Sequence, residues 1–175
     1  GLERGGAASH HLVAEAWRQA FADRLLLGDP GHSDASSAEL LDSARLDRLA
    51  AAIPRQRARS SSSMVSGDVV PPAESPETTH LSVIDADGNA VALTTTLNGG
   101  FGSKLWVPGF GFLNNEMDDF TTAPGQPNLY GLVQGEANTI APGRRMLSSM
   151  TPTVAWKGGE LLVFGGQGGS RIPTT

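Results

Sequence analysis

His80-Leu81-Ser82-Val83-Ile84-Asp85, then Asp87-Gly88-Asn89, then Ala90-Val91-Ala92-Leu93-Thr94-Thr95-Thr96 is a pair of runs rich in Val, Leu, Ile and Thr, separated by turn residues. Branched aliphatic side chains suit a pleated, half-buried strand, and Asp, Gly and Asn accept the positive-φ positions of a tight reversal. The stretch therefore reads as an antiparallel hairpin. A second hairpin is expected where Thr153 to Trp156 and Leu161 to Gly165 flank Lys157-Gly158-Gly159-Glu160. Between the two hairpins, Gly recurs at 99, 100, 102, 109, 111, 125, 131, 135 and 143 with little helical periodicity. Long loops carried on a rigid sheet are where function tends to sit.

Upstream the pattern is helical. From Ser9 to about Leu27, apolar residues at Leu12, Val13, Ala16, Trp17, Ala20, Phe21 and Leu25 recur at helical spacing, with Ser9 as the expected N-cap and Gly28-Asp29-Pro30 as the stop. A second helix is expected from about Ser37 to Ile53, closed by Pro54. Residues 54 to 77 carry Arg55, Arg57, Arg59, the serines 60–63 and Pro71, Pro72 and Pro76, and read as a solvated linker. Helices followed by a sheet predict an α+β or layered α/β arrangement, and no internal repeat is present.

The 175 residues include 13 Lys+Arg, 18 Asp+Glu, four His and no Cys, for a net charge of −5. That charge gives no attraction to nucleic acid, and the three linker arginines have no aromatic residues interleaved for stacking on bases. Without Cys there is no disulfide framework, thiolate zinc site or cysteine nucleophile. No apolar run reaches the roughly 18 residues needed to span a bilayer. With 22 Gly in 175 residues, about one in eight, the chain is rich in tight turns. Both ends read as cuts through a longer protein.

Familiar catalytic motifs are missing. There is no G-x-S-x-G, and Gly165-Gly166-Gln167-Gly168-Gly169-Ser170 lacks the lysine of a phosphate-binding loop. His10, His11, His32 and His80 lack metal-ligand spacing, and His10 and His11 are expected at the surface. Thr78-Thr79, Asp118-Asp119 and Ser148-Ser149 are each ordinary as a strand start, a turn or a cap, but together they surround the glycine-rich turn.

Six motifs in order resemble the γ-glutamyltransferase family: Thr78-Thr79-His80-Leu81-Ser82-Val83, Thr94-Thr95-Thr96-Leu97-Asn98, Phe101-Gly102-Ser103, Asn114-Asn115-Glu116-Met117-Asp118-Asp119-Phe120, Leu147-Ser148-Ser149-Met150-Thr151-Pro152-Thr153 and Gly168-Gly169-Ser170. A weaker match, through His11-Leu12-Val13-Ala14-Glu15-Ala16, Ala22-Asp23-Arg24 and Gly28-Asp29-Pro30, resembles the end of that family's large subunit.

The resemblance implies an N-terminal-nucleophile hydrolase with a layered αββα fold, incomplete in this chain. Residues 1–77 would be the C-terminal part of the large-subunit region and 78–175 the start of the small catalytic subunit. The precursor, a zymogen, would cut itself between Glu77 and Thr78. A threonine hydroxyl is a poor nucleophile at neutral pH, but the α-amine freed by cleavage has a pKa near 8 and can take its proton.

By the same resemblance, Thr96 would orient the Thr78 hydroxyl, and Gly168 and Gly169 would offer backbone N–H groups to the oxyanion. Asn98, Glu116 and Asp119 would hold the substrate α-amino group, Ser148 and Ser149 its α-carboxylate, and Tyr130 would belong to a lid. Glu116 stands where some members have Gln, while Met146, Gln167 and Pro173 depart from the family pattern. The arginine that binds the substrate carboxylate would lie earlier in the large subunit, outside this chain.

The activity implied is γ-glutamyl transfer from glutathione and related amides to water, amino acids or peptides. It would need no metal or organic cofactor, and the subunits would form a heterodimer. Relatives act in the periplasm or outside the cell. A cephalosporin (glutaryl) acylase of the same family and a non-catalytic binding module are the alternatives.

Overall fold

The computed structural model of the chain describes residue 3 and residues 5–33, 35–60, 77–128 and 133–174. The expected linker between 61 and 76 and the lid residue Tyr130 lie outside the described residues. Contacts divide the described residues into two units: residues up to 60 with 121–127 and 133–147, and residues 77–120 and 128 with 148–174. Residues downstream of Thr78 thus contribute to both units.

The first unit holds α1 (Ala7–Arg24), α2 (Ser37–Leu40) and α3 (Ser43–Ala51). α1 starts two residues before the expected Ser9 cap. Extended Gly6 is the N-cap, and Ser9 lies in the first turn with its hydroxyl donating to Gly6 O at 3.1 Å. Ala7 and Ala8 are strong helix formers, so propensity carried the start upstream. The helix ends at Arg24, short of Leu27, in tightening turns where Leu26 N donates to Asp23 O and Leu27 N to Arg24 O.

The helix expected from Ser37 to Ile53 is broken in two. Ser36 and Glu39 form a capping box on α2, and the Asp42 side chain then accepts from Arg45 N and starts a new helix. α3 ends at Ala51, in time for Pro54. His11, expected at the surface, is half-buried instead, with Nε2 2.6 Å from Pro54 O.

The most buried side chain here is charged. Glu15 is 2% exposed and receives the Arg59 guanidinium at 2.6 Å, the Arg59 N–H and Arg18. The Arg59 hydrogen bond holds the Glu15 carboxyl below the usual carboxylate range. Arg59, eight residues past the end of α3, is thereby anchored to α1. Asp29, also buried, pairs with Arg145 at 2.9 Å.

The second unit is built from three two-stranded antiparallel sheets: β1 (Thr79–Ile84) with β2 (Ala90–Thr95), β3 (Trp106–Val107) with β4 (Gly111–Phe112), and β5 (Thr153–Lys157) with β6 (Glu160–Phe164). Both expected hairpins form, with ends displaced by a residue. The short β3–β4 pair lies in the glycine-rich stretch, where two-residue strands give no alternation to read. Trp106 packs edge-on to Phe112 at 5.0 Å between centroids.

Alternation in the β1–β2 register puts Leu81 and Val83 on one face with Leu93 and Val91, each 43–55% exposed. The other face carries His80, Ser82, Thr94 and Ala92. β6 lies against β1 and β2. Fully buried apolar side chains among the described residues are Phe120 and Ile172. No helix among the described residues is long and apolar enough to cross a membrane.

Candidate functional site

Every expected site residue that the structure describes belongs to the second unit. The β1–β2 ladder ends with Thr79 opposite Thr95, so Thr78 and Thr96 are the next pair outward, at the open end of the hairpin. Thr78 is 7% exposed. Thr96 is half-buried and its hydroxyl accepts from Asn98 N at 2.9 Å, which fixes the oxygen at the strand exit. Register alone thus brings threonines eighteen positions apart to the same end of the hairpin, because a hairpin pairs residues symmetrically about its turn.

Asn98 is buried and has φ +75°, a conformation few non-glycine residues adopt and one typical of sites held by their surroundings. The holding is visible. Asn98 Nδ2 donates to Asn115 O at 3.1 Å, Gly99 N donates to Asn115 Oδ1 at 2.9 Å, and Asn115 N donates to Leu97 O at 3.1 Å. Farther out, Leu113 N donates to Leu105 O and Ser103 N to Leu113 O. The β3–β4 reversal lets the chain fold back along itself, and this zip delivers Asn115 beside Asn98, with Glu116 next in the chain.

A single 3₁₀ turn spans Glu116–Asp119, its entry fixed by Glu116 N donating to Asn114 Oδ1 at 3.0 Å. One turn brings the side chains of Glu116 and Asp119 together, where they hydrogen-bond. Partial burial pushes the Glu116 carboxyl above its usual range, and the Asp119 hydrogen bond offsets only part of the rise. Two carboxyl groups in one half-dry spot favour either a shared proton or an incoming cation.

The second hairpin carries its polar groups on both sides of its open end, where Thr153 pairs with Phe164. Before it come Ser148, exposed and with its hydroxyl accepting from Met150 N at 3.1 Å, and half-buried Ser149. After it come Gly168 at φ +135° and Gly169 at φ +57°. L-residues reach neither value readily, which accounts for two successive glycines. The turn runs into a 3₁₀ helix, Gly169–Thr174, that buries Ser170 and Ile172 and contains Pro173. Among the described residues no group of three or more His, Asp or Glu is arranged to hold a metal ion.

The sequence reading overlooked two residues. Asn115 lies inside a motif, yet its clasp on residues 97–99 emerges only from the fold-back. His80 has no metal-ligand spacing. Its period-two placement on the face of Thr78 was the available signal, and its side chain bridges Thr94 and Ser82.

Comparisons with known proteins bear on the family. The family model described as Gamma-glutamyltranspeptidase matches residues 2–175. A glutathione hydrolase proenzyme of Pseudomonas sp. (strain A14) is 51% identical over 94% of this chain and 29% of its own length. An Acylase ACY 1 proenzyme of Pseudomonas sp. (strain SE83) is 39% identical over 96% of this chain and 28% of its own length. The chain thus spans under a third of the length of these relatives. Among solved structures, a γ-glutamyltranspeptidase from Pseudomonas nitroreducens superposes with a TM-score of 0.52 at 55% identity, covering 55% of this chain and 50% of that one. With the family model matched almost end to end, the chain belongs to the γ-glutamyltranspeptidase family.

Proposed function

We propose that this chain carries the self-cleavage junction and most of the acyl-transfer site of an enzyme that moves γ-glutamyl groups from glutathione and similar amides to water, amino acids or peptides. The observation that carries the reading is the open end of the first hairpin: a buried Thr78 directly after Glu77, one residue beyond the Thr79–Thr95 pair that closes the ladder, with Thr96 one residue beyond it on the other strand. Relatives named as proenzymes support cleavage at Glu77-Thr78. On this reading residues 1–77 end the large subunit and 78–175 begin the small one, the two stay together as a heterodimer, and the complete protein has the layered αββα fold.

After cleavage the Thr78 amine takes the hydroxyl proton as Oγ attacks the γ-carbonyl carbon. The oxyanion is met by the N–H groups of Gly168 and Gly169, and the proton passes to the departing amine. The γ-glutamyl-Thr78 ester then gives its acyl group to water or to an acceptor amine. Thr96 orients the hydroxyl. Asn98, Glu116 and Asp119 receive the donor ammonium, and Ser148 and Ser149 receive its carboxylate. The acidic pair at 116 and 119 favours this donor over a glutaryl amide, which has no ammonium to offer.

The test is the full-length precursor. It should split into two chains, the smaller beginning Thr-Thr-His-Leu, and release glutamate from glutathione. Thr78→Ala should stay intact and inactive. A different new N-terminus, or cleavage persisting in Thr78→Ala, would overturn the proposal.

A further inference from the structure

His80 lies two residues past Thr78 on the same face of β1, directly opposite Thr94 in the ladder. Both ring nitrogens have hydroxyl partners: Nδ1 is 2.7 Å from Thr94 Oγ1 and Nε2 is 2.9 Å from Ser82 Oγ. A hydroxyl can donate or accept, so the ring is held in place in either tautomer. Thr94 is itself buried, which leaves the ring little freedom. These bonds run across the ladder to Thr94 and along β1 to Ser82, so both ring nitrogens already have hydroxyl partners.

The ring also meets the other hairpin. Gly165 follows β6, and a Cβ built on it would lie 2.3 Å from His80 Cε1 and 2.4 Å from Nδ1. The imidazole therefore rests directly on the Gly165 backbone. Gly165 is not among the glycines with positive φ, so its backbone would suit an L-residue and the missing side chain is explained by the ring's approach. Three residues later the chain reaches Gly168 and the turn that would meet the oxyanion.

We infer that His80 is a positioning residue: fixed by Thr94 and Ser82 and seated on Gly165, it sets the distance between the strand end bearing Thr78 and the Gly168-Gly169 turn. The inference rests on the acyl-transfer reading above. Attack on a carbonyl demands that nucleophile and oxyanion donors hold a common geometry, and a displacement of about 1 Å can cost about 10²-fold in rate. The amino-group residues Asn98, Glu116 and Asp119 are held by a separate network through Asn115. Loss of the spacer should therefore lower kcat and leave KM for the donor nearly unchanged.

The test is a double-mutant cycle in the full-length precursor, with cleavage and melting temperature followed beside kinetics on a γ-glutamyl amide. His80→Ala is expected to lower kcat about 10- to 100-fold at nearly constant KM. His80→Asn, which can still reach Thr94, should recover part of the loss. Gly165→Ala forces the ring away and should lower kcat in the native background, yet cost nothing further once His80 is Ala, because the space is then empty.

Additive losses, a rise in KM with kcat unchanged, or His80→Ala within twofold of wild type would overturn the inference. If His80→Ala does not fold, the cycle is run with His80→Ser, whose short side chain also leaves the space over Gly165 empty, and is read the same way. An inactive wild-type precursor would overturn the acyl-transfer reading and this inference together, whereas an active wild type with additive losses overturns this inference alone.

Discussion

The two long hairpins of the second unit close in different ways and open onto different chemistry. β1 and β2 are joined by five residues organised around one side chain: the Asp85 carboxylate accepts from Asp87 N, Asn89 N and Asn89 Nδ2. β5 and β6 are joined by Gly158 and Gly159 alone, at φ +59° and +85°, so the backbone makes the turn without help. At the open ends the contrast continues. The first hairpin and its exit present side chains: Thr78, Thr96, Asn98, Glu116 and Asp119. The second presents backbone at Gly168 and Gly169, with hydroxyls at Ser148 and Ser149. On the proposed function, the groups that would hold the donor ammonium are side chains, whereas the groups that would meet any acyl oxyanion are backbone N–H, whose position depends on conformation.

That division predicts how damage should sort. The largest effect is expected at the backbone end. No atom lies within 4 Å of a Cβ built on Gly168, so Gly168→Ala meets no steric obstacle, but φ +135° is strained for alanine. The turn should relax and an oxyanion donor should be lost, with kcat falling about 10²- to 10³-fold on every acyl donor. A loss confined to KM would break the comparison.

At the side-chain end the loss should be selective. Asp119→Asn removes a charge that would pair with the donor ammonium, and activity on γ-glutamyl amides should fall about tenfold or more. Glutaryl amides should lose less, or gain. Equal losses on both would make Asp119 structural.

The pH dependence is gentler. Burial raises the Glu116 pKa, and a donor ammonium held there, as proposed, would favour the ionised form. Donor binding therefore competes with a proton: KM should rise as pH falls through that raised pKa, by up to about tenfold per pH unit, and level off above it. Glu116→Gln should flatten that part of the profile. A KM that rises toward high pH in this range would refute the assignment.

The smallest effect should come from the closed end. The Asn89 side chain, followed by the turn amides, lowers the Asp85 pKa. Its stabilising contribution is thus present above the ordinary carboxylate range and lost as pH falls through the lowered value. Asp85→Ala should shift the melting temperature slightly at neutral pH, remove that acid-side dependence and leave kcat unchanged. A large kcat loss would mean that the closed end also shapes the site.

Both hairpins were legible because each is local: a period-two run, a turn signal and a second run fix the register, which ends at Thr79 opposite Thr95 and leaves Thr78 and Thr96 at the same end. The helices were legible in kind and misplaced at their ends, since Ala7-Ala8 extended α1 and Asp42 competed as a cap inside what read as one helix. The two successive glycines were readable as a positive-φ turn in the same way, because the requirement is a property of one or two residues.

The amino acid sequence by itself determined the hairpins, the threonine pair at the end of one of them, the glycine turn past the other and the family to which they belong, because these are encoded over a few residues at fixed spacing. Tertiary structure alone decided that Asn115 clasps Asn98, that Glu116 and Asp119 share one half-dry spot, that Glu15 is the buried anchor for Arg59, and that the His80 ring sits on Gly165. These contacts join residues from 3 to 85 positions apart through packing and the reach of side chains, and only the folded chain fixes those distances.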